Sequence, residues 1–136
     1  MTRLTRQYRF AASHRLHSAS LSEDENQRIY GKCNNPYGHG HDYVLQVCAE
    51  GVPDPESGLL VNVGALDSLV EQKLMPRLRN RNLNDLEEFH ALVPTTENLA
   101  LVCEHWLRTA WGGRAALVGV RIHETRRNTF ETEKMR

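Results

Sequence analysis

Three histidines and a cysteine near the start of the chain are the residue types from which a catalytic metal centre is built: His14, Cys33, and the pair in His39-Gly40-His41. Side chains of an extended segment repeat with period two, so His39 and His41 project to one side and can reach one ion. Three imidazoles, with no fourth Cys or His at ligand spacing, leave one coordination position open, which is the arrangement of catalytic rather than structural zinc. A His-x-His pair taken alone reads equally well as a turn with two solvated imidazoles. His14 raises the weight of the metal reading. It ends a segment whose same-parity residues, Tyr8, Phe10 and Ala12, are apolar, so it points into a core or cleft. His17, His90, His105 and His123 are read as surface or packing residues.

Cys33 lies in a loop dense in turn formers, from Gly31 to His41, where a thiol is accessible. Lys32 and a nearby zinc would both favour its thiolate, the form that acts as base or nucleophile. Cys48 and Cys103 fall within a strand and a helix and read as core residues. Glu124 shares one strand face with Val118, Val120 and Ile122, and a carboxylate on an apolar face needs a partner. Either that face reaches water there, or Glu124 is a bidentate acceptor at a pocket mouth, suited to adjacent N–H donors such as the edge of a pterin or guanine. Pro94-Thr95-Thr96-Glu97-Asn98 opens a helix, with Thr95 or Thr96 as cap and Glu97 in its first turn.

The elements that must position these residues are strands and helices mixed. Thr5 to His14 alternates as a half-buried strand, and Ser22-Glu23-Asp24-Glu25 is a capping box opening a short helix that Gly31 stops. His41 to Glu50 is a second strand; the turn from Gly51 to Gly58 leads to a third, Leu59 to Val63, expected to form a hairpin with it. Apolar positions predict amphipathic helices over 65–78 and 96–111. A β-branched strand follows from Ala115 to Glu124, with a short partner over Thr129 to Glu133. The expected fold is α+β: an antiparallel four-stranded sheet with two helices on one face, in a single domain over residues 1–136. Uncovered sheet edges make oligomers that join sheets into a barrel physically reasonable.

Seventeen basic residues balance seventeen acidic ones with no long run of like charge, which gives no reason to expect a nucleic-acid or membrane partner. The ligand is therefore expected to be small. Three unpaired cysteines and the lack of an apolar leader point to the cytoplasm.

Four stretches together closely resemble the 6-pyruvoyl tetrahydropterin synthase family: Phe10-Ala11-Ala12-Ser13-His14-Arg15-Leu16, the motif from Gly31 to Tyr43, Pro94 to Ala100, and Val120 to Thr125. Lys32-Cys33-Asn34-Asn35-Pro36 and the Ser20 to Ile29 insertion resemble the pyruvoyl-forming branch more than the related 6-carboxytetrahydropterin synthases. The resemblance implies zinc on His14, His39 and His41, Cys33 as the proton-abstracting base, and Glu124 as the pterin anchor, helped by Thr95, Thr96 and Glu97. It implies a lyase that converts 7,8-dihydroneopterin triphosphate to 6-pyruvoyl tetrahydropterin with loss of triphosphate, as in tetrahydrobiopterin biosynthesis, with magnesium assisting the triphosphate. It further implies the tunnelling fold, assembled as a homohexamer with sites between subunits.

One departure stands out. Where the family has Leu-Asp-His-Lys-Asn-Leu-Asp, whose Asp-His pair completes a proton relay, this chain has Leu78-Arg79-Asn80-Arg81-Asn82-Leu83-Asn84. Arginine stays protonated and asparagine does not titrate, so neither shuttles a proton near neutral pH. Asp85 or His90 is the candidate replacement. The departure leaves room for 6-carboxytetrahydropterin formation, aldolase cleavage of the side chain, or a pterin-binding paralogue that has lost catalysis.

Overall fold

Alternating apolar residues build the centre of the molecule. In the computed structural model, which describes residues 1–132, β1 (Thr2–His14) and β2 (His39–Gly51) pair antiparallel from Thr2↔Gly51 to His14↔His39. The other edge of β2 pairs antiparallel with a later strand, Ala116–Glu124, from Tyr43↔Glu124 to Glu50↔Ala116, with a bulge at Cys48/Ala49. Residues opposite one another on such a ladder share a face. One face carries Phe10, Ala12, Tyr43, Leu45, Val47, Val120 and Ile122, all buried. The other carries Gln7, Arg9, Gln46 and Arg121, exposed or half-buried.

Two amphipathic helices cover the apolar face. The first, α2, spans Val63–Lys73 and follows the short α1 (Glu23–Tyr30). A single turn, α3 (Met75–Leu78), comes next, and then α4 (Thr96–Ala110). Leu66, Val70 and Leu74 from the first half of the pair and Leu99, Val102, Cys103, Trp106 and Leu107 from α4 join the sheet residues in one core. The expected helix over 65–78 breaks at Leu74 because Pro76, in the first turn of α3, has no N–H to carry the ladder on.

The sheet corrects the expectation of four antiparallel strands: it has five, in a mixed sheet. Two residues after α3, β3 (Arg81–Asn82), add parallel to the free edge of β1, and Asn80 N–H bonds Ala11 O at 2.7 Å. The Ala116–Glu124 strand is thus β4, and β5 (Asn128–Glu131) closes the order β3-β1-β2-β4-β5. The strand expected over Leu59 to Val63 is absent. Both edges of β2 are taken by β1 and β4, so the loop folds on itself through Gly58 N–H to Asp54 O and Asp54 N–H to Leu59 O. It then delivers Asn62 as the cap of α2. Of the short partner strand, Glu133 lies outside the described residues.

The segment between β1 and β2 carries Cys33, and its geometry rests on one buried amide. The Ser22–Glu25 capping box forms as expected. Behind it Asn26, fully buried, accepts from Ser18 N–H and donates to the carbonyls of Ser18, Leu21 and Ser22 at 2.9 to 3.3 Å. Asn26→Ala removes this fourfold tie and strands its partners, so an unfolding loss of about 1–3 kcal/mol is expected in urea titration. A loss within about 0.5 kcal/mol, typical of a surface substitution, would show that the loop does not depend on it.

Candidate metal and catalytic site

The register that buries the core also gathers the chemistry. His14 stands opposite His39, His41 lies opposite Ala12, and Tyr43 is paired across β2–β4 with Glu124, all on the helix-covered face. His14 is 1% exposed. Its Nδ1 lies 2.8 Å from Pro94 O, which can only accept, so Nδ1 carries the proton and Nε2 carries a lone pair. That Nε2 is buried and meets no partner atom. His41 places Nε2 3.8 Å from Cys33 Sγ and Nδ1 3.1 Å from Thr125 Oγ1.

The donor atoms of His14, Cys33 and His41 lie within 4.8 Å of one another. An orphaned buried imidazole nitrogen beside a second nitrogen and a sulfur is a donor set that fits a borderline-soft divalent ion. His39, expected as the third imidazole, is exposed, its ring centroid 4.8 Å from that of His41. It borders the compact set, in which Cys33 stands.

Local chemistry explains how Cys33 arrives there. Gly31 ends α1 at φ 57°, and a single 3₁₀ turn over Gly31–Asn34 presents the thiol. Leu16 N–H bonds Cys33 O at 2.7 Å, and the buried Asn34 amide donates to Leu16 O at 2.7 Å, lashing the turn to the end of β1. Gly38 (φ 78°) passes so close that a Cβ there would sit 2.7 Å from His14 O, so only glycine lets β2 start beside His14. Burial, and then the Glu124 charge, push the Cys33 thiol above its ordinary value. Lys32, expected to favour the thiolate, is exposed and does not offset them.

Glu124 is held from above. Thr96, buried in the first turn of α4, donates its hydroxyl to Glu124 Oε2. Thr95 is the cap, accepting from Asn98 N–H at 3.2 Å, while Glu97 is exposed in the first turn. Of this segment the structure joins Thr96 to the site directly. At the relay positions, Arg79 makes a two-pronged ion pair with Glu71 at 2.8 and 3.0 Å, and Asn80 sits at φ 57° in the link to β3. Asp85 and His90, the expected replacements, are both exposed.

An open cleft of about 710 Å³ at this end of the sheet is lined by His39, His41, Asn80, Asn82 and Thr125 among others. A second cavity, about 530 Å³, lies between Leu59–Leu66 and Trp111–Ala115. Its charged lining is the Asp54–Arg114 ion pair, and it holds no histidine or cysteine, so the metal-binding residue types belong to the first. Sequence reasoning missed three contributors. Tyr43 stacks on Phe10 at 5.1 Å, meets the His41 ring edge-on, and brings its hydroxyl 3.5 Å from His14 Nδ1. Its parity with His39 and His41 was a usable signal. The Pro94 carbonyl and Thr125 come from distant segments and gave none.

Comparison with known proteins bears on the family and the fold. A family model described as 6-pyruvoyl tetrahydropterin synthase matches residues 3–135. The 6-pyruvoyl tetrahydrobiopterin synthase of Poecilia reticulata is 45% identical over 127 residues, covering 92% of this chain and 85% of that protein. The protein of that name from Drosophila melanogaster is 41% identical over 126 residues, covering 92% and 75%. The solved structure of Caenorhabditis elegans 6-pyruvoyl tetrahydropterin synthase superposes with a TM-score of 0.90 at 38% identity, covering 96% of this chain and 94% of that one. An uncharacterized protein from Wolinella succinogenes shares the fold at a TM-score of 0.69 and 16% identity, over 96% and 97% of the two chains.

Burial holds the His14 and His41 imidazoles below their ordinary 6.5 in the metal-free chain. Above pH 6.5 both are neutral folded and unfolded, and stability is unaffected; below it the unfolded chain takes up protons that the folded site refuses, so stability falls. The melting temperature of the metal-free protein should therefore drop from pH 7 to 5, and His14→Gln should flatten part of that slope. Equal slopes in both proteins would show that His14 is not held neutral by the fold.

Proposed function

The chain belongs to the 6-pyruvoyl tetrahydropterin synthase family, and from that membership we propose that it is the lyase that converts 7,8-dihydroneopterin triphosphate to 6-pyruvoyl tetrahydropterin with release of triphosphate. The observation that carries the reading is the free, buried Nε2 of His14 in a set with Cys33 and His41 whose donor atoms lie within 4.8 Å of one another, on the face that also bears Glu124. His14 and His41 would hold zinc, with His39 the third imidazole: it shares their face, directly opposite His14. Zinc bound there supplies Lewis-acid polarisation of the substrate's side-chain hydroxyls.

The remaining chemistry belongs to the chain. Glu124, fixed by the Thr96 hydroxyl, offers two carboxylate oxygens to the adjacent N–H donors of a pterin ring. Cys33, pinned beside His41 by Leu16 and Asn34, removes the proton from the substrate side chain. Thr95 and Glu97 support the site by forming the α4 start that places Thr96, and magnesium would accompany the triphosphate. A homohexamer that closes the sheets into a barrel suits the short exposed edges β3 and β5 and the polar second face of the sheet. No described helix is long and apolar enough to cross a membrane.

A second reading rests on positions 79 and 80. With Arg79 tied to Glu71 and Asn80 in place of a titratable residue, the same pocket would bind the substrate but cleave or truncate its side chain, or hold it without turnover. Incubation of the zinc-loaded protein with 7,8-dihydroneopterin triphosphate and magnesium separates these. Triphosphate release with 6-pyruvoyl tetrahydropterin is expected; a 6-carboxy or cleaved product, or tight binding with no turnover, would replace the first reading by the second. Cys33→Ala should lower turnover about 10²–10⁴-fold, the range of a lost general base, with zinc content unchanged. Turnover surviving in that variant would remove Cys33 as the base.

A further inference from the structure

Thr125 sits where the local backbone argues against it. Among the described residues, six have positive φ: glycines 31, 38, 58 and 113, Asn80, and Thr125 at φ 55°. Glycine occupies this region freely and asparagine tolerates it, whereas a β-branched residue there is strained. Packing does not account for the choice, because Thr125 is exposed. Its backbone needs no threonine either: its N–H bonds Asp42 O at 2.9 Å, closing the β2–β4 ladder beyond Tyr43↔Glu124, and a glycine would make the same bond. What glycine lacks is the hydroxyl, whose oxygen lies 3.1 Å from His41 Nδ1.

That contact reproduces, with a different donor of oxygen, what Pro94 O does for His14. In both imidazoles Nδ1 is met by an oxygen from a distant segment, which leaves Nε2 without a hydrogen-bond partner in His14 and facing Cys33 Sγ in His41. The nitrogen that a histidine presents to a metal is decided by the hydrogen bond on its other nitrogen. A hydroxyl can accept the Nδ1 proton and leave the Nε2 lone pair facing Cys33 Sγ, 3.8 Å away.

We infer that Thr125 is a positioning residue for His41: its hydroxyl, held over the ring by a strained backbone, fixes the orientation and tautomer that present Nε2 as a metal ligand. The inference rests on the metal reading of the site and goes beyond it by naming what orients one ligand. The side chain touches His41 and acts through it. The strain at φ 55° stands because it points the hydroxyl at the ring.

Three variants of the full chain, Thr125→Ala, Thr125→Ser and Thr125→Gly, separate positioning from folding. Zinc affinity would be measured on metal-free protein by competition with a chelator, cobalt(II) absorption would report the ligand field, and ¹⁵N chemical shifts would give the His41 tautomer without metal. Zinc affinity is expected to fall about 10–100-fold in Thr125→Ala, the usual cost of losing a partner of a metal-bound histidine, with an altered cobalt spectrum and a smaller Nδ1–H population. Thr125→Ser should restore all three. Thr125→Gly is the decisive case: relief of the strained φ should leave it at least as stable as Thr125→Ala, yet it should bind zinc as weakly. Unchanged zinc affinity in Thr125→Ala, failure of Thr125→Ser to restore it, or recovery in Thr125→Gly would each overturn the inference while leaving the metal site in place. If the parent chain itself takes up no zinc, the metal reading fails and the positioning role fails with it.

Discussion

Everything in this molecule depends on the register of β2 between its two neighbours. Slipping a strand by one residue would turn its whole face over, sending Tyr43, Leu45 and Val47 to solvent and His39 and His41 to the far side. Leu45, Val47, Val120 and Ile122 are essentially inaccessible, and each fully buried side chain of this kind is worth about 1.5–3 kcal/mol. Together they approach the net stability of a typical domain, about 5–15 kcal/mol. The slipped arrangement is therefore not available, and the apolar rows hold the imidazoles in place although they touch no metal. Core and site are successive rungs of one ladder: Leu45↔Ile122, then Tyr43↔Glu124, then the histidines.

This explains which parts could be read from the sequence. Period-two alternation in Tyr8, Phe10, Ala12 and His14 gave the strand and the inward direction of its last residue, and both hold. The parity of His39 with His41 and of Glu124 with Ile122 placed those residues on their observed faces, and Ser22 and Thr95 marked helix starts that the structure retains. Long-range competition is where local pattern failed. Leu59 to Val63 has the composition of a strand, but β2 has no edge left to offer it. Arg81–Asn82 has no strand character, yet the burial of Leu78 and Leu83 on either side carries it against β1. The same limit applies to the site: the loop cysteine and the histidines could be found by type and spacing, whereas Pro94 O, Thr125 and the Thr96–Glu124 bond join segments far apart in the chain.

The site is also where the fold gives up stability. His14 Nε2 is buried with no partner, and an unsatisfied buried polar group costs about 1–3 kcal/mol. Thr125 adds the strain of a left-handed β-branched residue, and Cys33 sits where burial and Glu124 oppose its ionised form. Elsewhere the same chain satisfies a fully buried polar side chain four times over, at Asn26. His123 Nε2, on the opposite face of β4, is likewise buried without a partner, but among the described residues only at the His14 end do an orphaned nitrogen, a strained backbone and a disfavoured thiolate meet, the pattern of a place shaped for a ligand rather than for folding. A ligand that binds the folded chain returns that stability by mass action, so metal binding and folding are linked through the same nitrogen.

Positions 79 and 80 serve the scaffold rather than the site. Arg79 is committed to Glu71, and Asn80 holds the start of β3 with its N–H on Ala11 O. At these positions the chain has scaffolding, not a titrating pair. His41 is the imidazole nearest the thiol, but once its Nε2 is a metal ligand and its Nδ1 is engaged by Thr125 it has no lone pair with which to accept a proton. Glu124 is then the charged side chain whose field reaches Cys33, and it opposes the thiolate. In the metal-free chain burial and the Glu124 charge both disfavour the thiolate, and neither Arg79 nor Asn80 supplies a titrating group to relieve it. In the proposed reaction a metal held by His14 and His41, together with the substrate, would have to favour the thiolate instead, which ties the proposed base to the geometry of those two imidazoles.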